Sequence, residues 1–240
     1  MTSPRLDPPL WRHDAYTLRG LVRALRGVIA GPHACVAARA TVVDLGAGEA
    51  PYRTLFTASG ARYVACDLEA GAEVRIDPGM PVPLESSSAD MVVSFQVLEH
   101  VWDLDWYLGE ARRLLRDDGV LLLSTHGTWL YHPHPTDFRR WTRTGLVGEL
   151  TSRGFEVRQV EAIVGPLAWT TQFRALGYHA ILSRVPLIGG LLAGLVSSVM
   201  HARMWLEDRV TPRDWIDHNA AIYLIAAVKS TTAIPTTDKP

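Results

Sequence analysis

One short segment, Val42–Glu49, limits the possible folds more than any other part of the chain. It reads VVDLGAGE, a run of β-forming apolar residues that ends in an acid and continues into two closely spaced glycines. Gly46 can adopt the positive φ of a tight turn, and Gly48 lacks a Cβ, so a ligand can approach the backbone there. A strand followed by such a turn is typical of an open α/β sheet, in which ligands bind at the carboxyl ends of the strands.

The rest of the sequence alternates between strand and helix patterns. Apolar runs predict strands at Thr41–Leu45, Tyr63–Cys66, Glu73–Ile76, Met91–Phe95, Val120–Ser124, Phe155–Ala162 and Ala221–Val228. Helical spacing and stop signals predict helices at Asp14–Ala30, Pro51–Phe56, Leu104–Leu115 and Thr144–Arg153. This alternation predicts an α/β fold, a Rossmann-like and mostly parallel sheet with helices on both faces.

The pattern divides the chain into five segments. The predicted segments are a lead-in and helix at 1–40, a core with the glycine turn at 41–162, a helical insertion or cap at 163–219, a closing strand at 220–230 and a disordered tail at 231–240. A structureless connection as long as 163–219 is unusual in a compact domain, so we interpret this segment as helical.

Charge and cysteine content narrow the partners and the compartment. The chain has a formal net charge of −1 and no basic excess, so a nucleic acid is not expected as a partner. Its two cysteines, Cys35 and Cys66, are too few for a disulfide framework. This cysteine content favours a cytoplasmic protein.

The insertion contains one uncharged apolar run, Val185–Met200. A membrane span needs ~20 apolar residues, whereas this shorter run is interrupted by Pro186 and three glycines. We therefore expect a buried cap helix or a helix lying on a surface. The arginines on both sides of the run fit a peripheral membrane contact through residues 185–205, while a pocket wall and a homodimer face are the alternatives.

Acidic residues at three predicted strand ends indicate the kind of ligand. Asp44 precedes Gly46 by two residues and can hold an amine, and Asp67 ends the second strand, where it can accept both hydroxyls of a ribose. Asp77 ends the third strand pattern and can receive an exocyclic amine. Asp67 and Asp77 could instead cap the following helix. An adenosine cofactor that carries an amine and no phosphate would satisfy all three carboxylates.

A dinucleotide fits this turn less well. The G-x-G-x-x-G pattern has its third glycine where this chain has Pro51, and Glu49 places a carboxylate beside the turn, which is unfavourable for two phosphates. An NAD-dependent oxidoreductase or epimerase on the same sheet remains an alternative.

Several motifs, taken together, resemble one enzyme family. They are VVDLGAGEAP, YVACDLE, SADMVVSFQVLEHV and LLRDDGVL, and the resemblance runs from Thr41 to Val157, about half of the chain. In this combination the chain is similar to class I S-adenosylmethionine-dependent methyltransferases of the methyltransferase-11 type. The resemblance implies a seven-stranded sheet whose last strand is antiparallel, and S-adenosylmethionine as the cofactor.

The resemblance also implies which residues bind the cofactor. The first strand and its turn would contact the methionine part, Asp67 the ribose, and Leu68 and Asp77 the adenine, while the residues after the fourth strand would flank the methionine end. The implied cofactor-binding residues are Asp44, Gly46, Ala47, Gly48, Asp67, Leu68, Asp77, Phe95 and Gln96.

A histidine-rich stretch after the fifth strand is the main candidate for chemistry. Residues 124–142 read STHGTWLYHPHPTDFRRWT, in which His126, His132 and His134 are expected to crowd around Asp137. A histidine with a carboxylate partner can act as a general base near neutral pH. The candidate catalytic residues are His100, which follows the fourth strand, together with His132, His134 and Asp137.

Two other interpretations of this stretch stay open. It could be a rigid aromatic loop that closes over the cofactor, with its histidines serving only as packing. His132, His134 and Asp137 could also ligate a metal, but their spacing matches no standard zinc pattern and two prolines intervene, so no metal is predicted.

These patterns lead to one functional hypothesis. We expect methyl transfer from S-adenosylmethionine to a small-molecule or lipid-linked acceptor, with O-methylation slightly favoured over N- or C-methylation. Besides the NAD-dependent enzyme, a relative that binds the cofactor without turnover is the alternative.

Overall fold

The structure is a computed structural model that describes residues 3–34 and 36–231. Of the features predicted from the sequence, Cys35 and the tail at 231–240 lie outside the described residues, apart from Thr231.

The core is one seven-stranded sheet. Its strands are β1 (Thr41–Leu45), β2 (Arg62–Asp67), β3 (Val74–Arg75), β4 (Ala89–Phe95), β5 (Leu115–His126), β6 (Phe155–Ile163) and β7 (Ile222–Lys229). They lie in the order β3-β2-β1-β4-β5-β7-β6. The β7 strand runs antiparallel to both of its neighbours, while the other strand pairs are parallel. The predicted fold class, with an antiparallel last strand, is confirmed.

Helices cover both faces of the sheet. They are α1 (Ala15–Ala30), α2 (Arg53–Thr57), α3 (Leu104–Leu114), α4 (Arg143–Ser152), α5 (Pro166–Leu182), α6 (Gly189–Val210) and α7 (Arg213–His218), and a 3₁₀ turn spans Leu98–His100. Each central strand sends successive side chains to opposite faces. Val43 therefore joins the apolar core under α3, α4 and α7, and Val42 joins the core under α1, α2, α5 and α6.

The start of β5 differs from the prediction. We expected a helix through Leu115 and a strand from Val120, but the strand begins at Leu115. Ala89 pairs with Leu115 and Met91 with Val120, so residues 116–119 form a bulge between the two pairs. This bulge depends on pairing with β4, which the local acidic and glycine pattern does not reveal.

The predicted insertion is helical. The helices α5 and α6 pack together as a hairpin, and a short turn at 183–188 joins them. On α6, Ala193, Ser197 and Met204 are buried, whereas Leu191 and other residues at four-residue spacing face outward. Within the described ranges, no helix has the length and apolar character needed to cross a membrane.

Both ends of the insertion lie at one edge of the sheet. Ile163 at the end of β6 is paired with Ile222 at the start of β7, and Ala221 N–H donates to the carbonyl of Val164 over 2.9 Å. Because β6 is parallel to β1, this edge also contains the carboxyl ends of β1, β4 and β5. The insertion therefore leaves and returns at the edge that carries the glycine turn.

Candidate functional site

The glycine turn has the backbone geometry that its sequence predicts. Gly46 and Gly48 have φ values of +80° and +51°. The N–H groups of Gly46 and Ala47 both donate to the carbonyl of Cys66, over 2.9 and 3.0 Å, which ties the turn to the end of β2. A Cβ on Gly46 would lie 2.6 Å from Cγ2 of Val97, whereas a Cβ on Gly48 would meet open space. Gly46 is therefore required by packing and conformation, and Gly48 by conformation alone.

Asp67 closes the turn from the second strand. Its Oδ2 accepts a hydrogen bond from Gly48 N–H over 2.7 Å, and its Oδ1 accepts one from Glu69 N–H over 3.3 Å. Leu68 beside it is about half exposed. Asp77 is also exposed, and its Oδ1 lies 3.2 Å from Nε of Arg75. Asp67 thus presents a fixed carboxylate at the mouth of the site, whereas Asp77 is held only by a surface ion pair.

Asp44 lies beneath the turn rather than at its mouth. Its side chain is buried, and its Oδ2 accepts a hydrogen bond from the hydroxyl of Tyr63. The pKa of Asp44 is raised to about 7, mainly because the side chain is buried; the charge of Asp67 acts in the same direction, while the Tyr63 hydrogen bond and Arg53 act against it. The amine-holding role of Asp44 stays a prediction.

Gln96 offers an unused acceptor next to the turn. Its φ is +58°, its backbone N–H donates to the carbonyl of Ser124 over 2.9 Å, and its Nε2 donates to Ser124 Oγ over 3.0 Å. Its Oε1 is buried and has no hydrogen-bond partner among the described residues. Such an acceptor costs ~1–3 kcal/mol when it stays unpaired. A ligand amine would satisfy it.

Phe95 belongs to the core below the turn. Its ring packs edge-on against Tyr52 at 5.2 Å and stacks on Phe56 at 6.1 Å. This packing connects the end of β4 with α2, so Phe95 supports the turn. Its contact with the methionine end of a cofactor stays a prediction.

The residues present fit S-adenosylmethionine. The turn has an open face at Gly48, a fixed carboxylate at Asp67 and an unpaired acceptor at Gln96. These groups suit a diol and a cationic amine. Carboxylates at Asp44, Glu49 and Asp67 surround the turn, and they would repel the phosphates of a dinucleotide.

A cluster of histidines lies after β4 and β5, around Glu99. We call His100, His126, His132 and His134 the imidazole cluster. The ring centroid of His132 lies 4.9 Å from that of His100, 5.2 Å from that of His126 and 5.4 Å from that of His134. His126 also stacks on Trp129 at 5.1 Å. His132 is therefore the central ring.

Glu99 is the carboxylate of this cluster. It is fully buried, its Oε2 accepts a hydrogen bond from Thr125 Oγ1 over 2.8 Å, and its Oε1 lies 2.7 Å from Nδ1 of His126. The contact between Oε1 and Nδ1 is short enough for an ion pair, but its geometry is not that of a hydrogen bond. Neither atom has a hydrogen-bond partner among the residues that the structure describes. Burial raises the pKa of Glu99, but the contact with His126 and the Thr125 hydrogen bond outweigh it, so the net pKa is lowered.

His132 is a neutral ring near pH 7. Its pKa is lowered to about 4, mainly by burial and to a smaller extent by the neighbouring His126 and His100. His100 is oriented by its Nδ1, which lies 2.5 Å from the carbonyl of Thr136. The cluster therefore brings lone pairs of imidazole nitrogens together with a buried carboxylate.

Comparison with known proteins identifies the family. A family profile described as a methyltransferase domain matches residues 10–160, more than half of the chain. The chain belongs to this methyltransferase family. The prediction of a class I S-adenosylmethionine-dependent methyltransferase is confirmed as the family of this chain. The matching family profile does not support the alternative of an NAD-dependent enzyme.

Curated relatives agree with this assignment. The methyltransferase is 35% identical over 103 residues to a protein of Mycolicibacterium smegmatis named as a probable S-adenosylmethionine-dependent methyltransferase, covering 40% of this chain and 38% of the relative. It is 30% identical over 131 residues to a protein of Mycobacterium tuberculosis with the same description, covering 48% of each chain. The matches span less than half of the length of both relatives.

A solved structure shares the fold. The crystal structure of an S-adenosylmethionine-dependent methyltransferase from Mesorhizobium loti aligns with a TM-score of 0.54 and 15% identity. The alignment covers 88% of this methyltransferase and 98% of that chain.

The position of Asp137 differs from the expectation. Its carboxylate is buried and pairs with the guanidinium of Arg140, over 2.5 Å to Nη1 and 2.6 Å to Nη2, and its Oδ2 accepts from the backbone N–H of His132 over 2.8 Å. These hydrogen bonds from Arg140 lower the pKa of Asp137 to about 2. The histidines gather around Glu99, and Asp137 holds the backbone of the loop.

Sequence reasoning did not select Glu99 or His126 as site residues. Glu99 was visible only as part of the LEHV motif, and His126 was expected near Asp137 without being chosen as a catalytic candidate. The signal that could have found Glu99 is its position directly before His100, at the carboxyl end of a buried strand.

A cavity of about 930 Å³ lies away from this site, between α1, β6 and α6. Its lining combines apolar side chains with arginines such as Arg19, Arg23 and Arg209. Neither the glycine turn nor the imidazole cluster contributes to its lining, so it is not the predicted cofactor site.

Proposed function

We propose that this methyltransferase methylates an oxygen atom of a small or lipid-linked acceptor, and that the imidazole cluster receives the acceptor. The observation that carries the proposal is the placement of His100, His132 and Glu99. They follow β4 and β5 at the same edge of the sheet as the glycine turn. Acceptor and cofactor can therefore approach each other above the carboxyl ends of β1, β4 and β5.

In this proposal Asp67 holds the ribose and Gln96 Oε1 accepts the cofactor amine, while Gly48 leaves space at the turn. S-adenosylmethionine, when bound, supplies an electrophilic methyl group whose bonding electrons stay with sulfur. Alignment of the nucleophile and exclusion of water are then the main tasks of the protein.

The cluster provides the proton acceptor. His132 is neutral above about pH 4, so its free nitrogen can accept a hydrogen bond from an acceptor hydroxyl. As the oxygen–carbon bond forms and the carbon–sulfur bond breaks, the hydroxyl proton passes to an imidazole. His134 is exposed and offers a route for this proton to solvent. O-methylation is favoured for this reason.

An exposed apolar face supports a lipid-linked acceptor. Leu191, Leu195 and Val199 follow one another at four-residue spacing on α6 and are exposed, as are Leu187 and Ile188 before it. Such a face, flanked by arginines, suits a peripheral membrane contact through residues 185–205. The helix α5, which packs against α6, also contacts the proposed acceptor region, because Phe173 packs against Trp129 at 6.3 Å.

Calorimetry tests whether the protein binds the cofactor and whether Asp67 holds its ribose. Calorimetry with S-adenosylhomocysteine should show binding, and Asp67→Ala should weaken it by about 10- to 100-fold, the loss expected for one hydrogen bond to a charged group. Asp117→Ala is the matched control and should leave the affinity unchanged, because this exposed carboxylate pairs with Lys229 and is not among the predicted cofactor-binding residues. Equal affinity of Asp67→Ala and the wild type would remove the ribose role.

Transfer of labelled methyl groups tests the reaction. Hydroxylated acceptors, free or attached to a lipid, should become labelled, and His132→Ala should lower the rate by about 10²-fold, the usual contribution of a positioned proton acceptor. Binding without labelling of any acceptor class would favour a relative that binds the cofactor without turnover. Labelling only of nitrogen acceptors would refute the O-methylation proposal.

Vesicle sedimentation tests the apolar face. Wild-type protein should pellet with vesicles that contain anionic lipid, and Leu191→Asp with Leu195→Asp should stay in the supernatant. If the same variant instead converts a dimer into a monomer, with no vesicle binding in the wild type, the face is a homodimer interface.

A further inference from the structure

We propose that Glu99, His100 and His132 bind a divalent transition-metal ion. Each residue offers one ligand atom, and these three atoms all lie within 4.8 Å of one another. Ligands of a tetrahedral zinc ion stand about 3.3 Å apart, as follows from bond lengths of about 2.0–2.1 Å. Small side-chain rotations would therefore close the three atoms onto one ion.

The donor set matches a known kind of metal site. Two imidazoles and one carboxylate, with further positions open, ligate catalytic zinc and non-haem iron. Glu99 and His100 come from the 3₁₀ turn after β4, and His132 comes from the loop after β5. The loop is held against this turn by the hydrogen bond from Phe138 N–H to the carbonyl of Glu99, over 2.9 Å.

The orientation of the ligands supports the proposal. With Nδ1 of His100 placed to donate to the carbonyl of Thr136, Nε2 is left with a lone pair. This arrangement is usual for metal-binding histidines, which donate their other nitrogen to a carbonyl or carboxylate. Thr125 likewise occupies Oε2 of Glu99 and leaves Oε1 available.

Glu99 provides an independent indication of a ligand. Its side chain is fully buried, and its Oε1 lacks a hydrogen-bond partner in the described part of the chain. Nδ1 of His126 lies 2.7 Å from this oxygen and also lacks a hydrogen-bond partner among the described residues. A cation bound at Oε1 would satisfy the carboxylate. An N–H group at Nδ1 of His126 is the competing explanation, because it could satisfy Oε1 without any metal.

The use of the ion rests on the proposed function. A metal with an open position would bind the acceptor oxygen and lower the pKa of its hydroxyl. With the ion bound, His132 would be a ligand and no longer the proton acceptor, and the exposed His134, which is not among the three ligands, would take the proton. The imidazole cluster would then combine metal ligands with a proton acceptor.

Metal titration tests the site without any need for activity. Chelator-treated full-length protein should bind one Zn²⁺ ion per chain in calorimetry and one Co²⁺ ion with visible d–d absorption. Glu99→Gln, which retains the Thr125 partner, and His132→Ala should each weaken Zn²⁺ binding by at least 10-fold. His218→Ala is the control, because this histidine is exposed on α7. Circular dichroism of each variant establishes that it is folded.

The outcomes separate the metal site from the proposed function. No Zn²⁺ or Co²⁺ binding by folded wild-type protein, or equal binding by the wild type and both ligand variants, would overturn the metal site. Methyl transfer that is unaffected by chelator would in that case leave the metal-free proposed function standing. Metal binding that depends on Glu99 and His132, with S-adenosylhomocysteine binding but no methylated acceptor, would support the site and contradict the proposed function.

Discussion

Replacement of Gly46 by alanine tests how the turn is built. Gly46 has a φ of +80°, and an added Cβ would lie 2.6 and 2.7 Å from the two γ-carbons of Val97. A left-handed conformation costs a non-glycine residue about 1–2 kcal/mol, and overpacking costs about 1–3 kcal/mol. Gly46→Ala should therefore lower the free energy of unfolding by about 2–5 kcal/mol, a large part of the stability of an ordinary domain.

Gly48→Ala is the matched control. Its φ of +51° is also left-handed, but nothing lies within 4 Å of the added Cβ, so only the conformational cost of about 1–2 kcal/mol applies. Urea unfolding followed by circular dichroism measures both variants. With an m-value of about 2.5 kcal/mol/M, Gly46→Ala should lower the midpoint by about 1–2 M.

A double-mutant cycle isolates the steric contribution. Val97→Ala removes both γ-carbons that an alanine at position 46 would meet, so the double variant should be less destabilised than the sum of the single variants by about 1–3 kcal/mol. Equal destabilisation by Gly46→Ala and Gly48→Ala, with no coupling to Val97→Ala, would refute the argument that Val97 enforces glycine at this position.

Two further predictions concern carboxylates whose pKa values are shifted in opposite directions. Because burial raises the pKa of Asp44 to about 7, its stabilising contribution is complete below about pH 4 and is lost as the pH rises to 7, by up to ~1.4 kcal/mol per pH unit. Urea unfolding at pH 5 and pH 8 should show this loss in the wild type and less of it in Asp44→Asn; an unchanged difference would refute the assignment. Asp137, held by Arg140, stabilises the histidine loop, so Asp137→Asn should accelerate hydrogen exchange at residues 130–138 and leave β4 unaffected. Exchange in the loop equal to that of the wild type would contradict this role.

The sequence predicts the parts of the molecule that depend on local pattern. The buried runs that became β1, β2 and β4 are predicted to within two residues at each end, because strands buried on both faces have continuous apolar sequences. The glycine turn is predicted for a similar reason, since a positive φ directly after a strand selects glycine.

The remainder depends on contacts between distant segments. The bulge in β5 arises from pairing with β4, and the partner of the imidazole cluster is Glu99, which is 33 positions before His132 in the sequence. Asp137 is near the histidines in sequence, but Arg140, three positions later, takes its carboxylate. Proximity in sequence therefore pointed to Asp137 alone, whereas the packing of the loop on the 3₁₀ turn also brings Glu99 to the cluster.

The pairing of Ile163 with Ile222 makes the helical insertion an exchangeable module. Its two ends are hydrogen-bonded neighbours in the sheet, so the distance that the segment must close is the same whatever its length. The entropy of closing a longer segment grows only with the logarithm of its length. The length of the segment between Gly165 and Asn219 can therefore vary without a change in strand register. Such a change would alter the surface beside Trp129, where we propose that the acceptor binds, and would leave the ends of β6 and β7 in place.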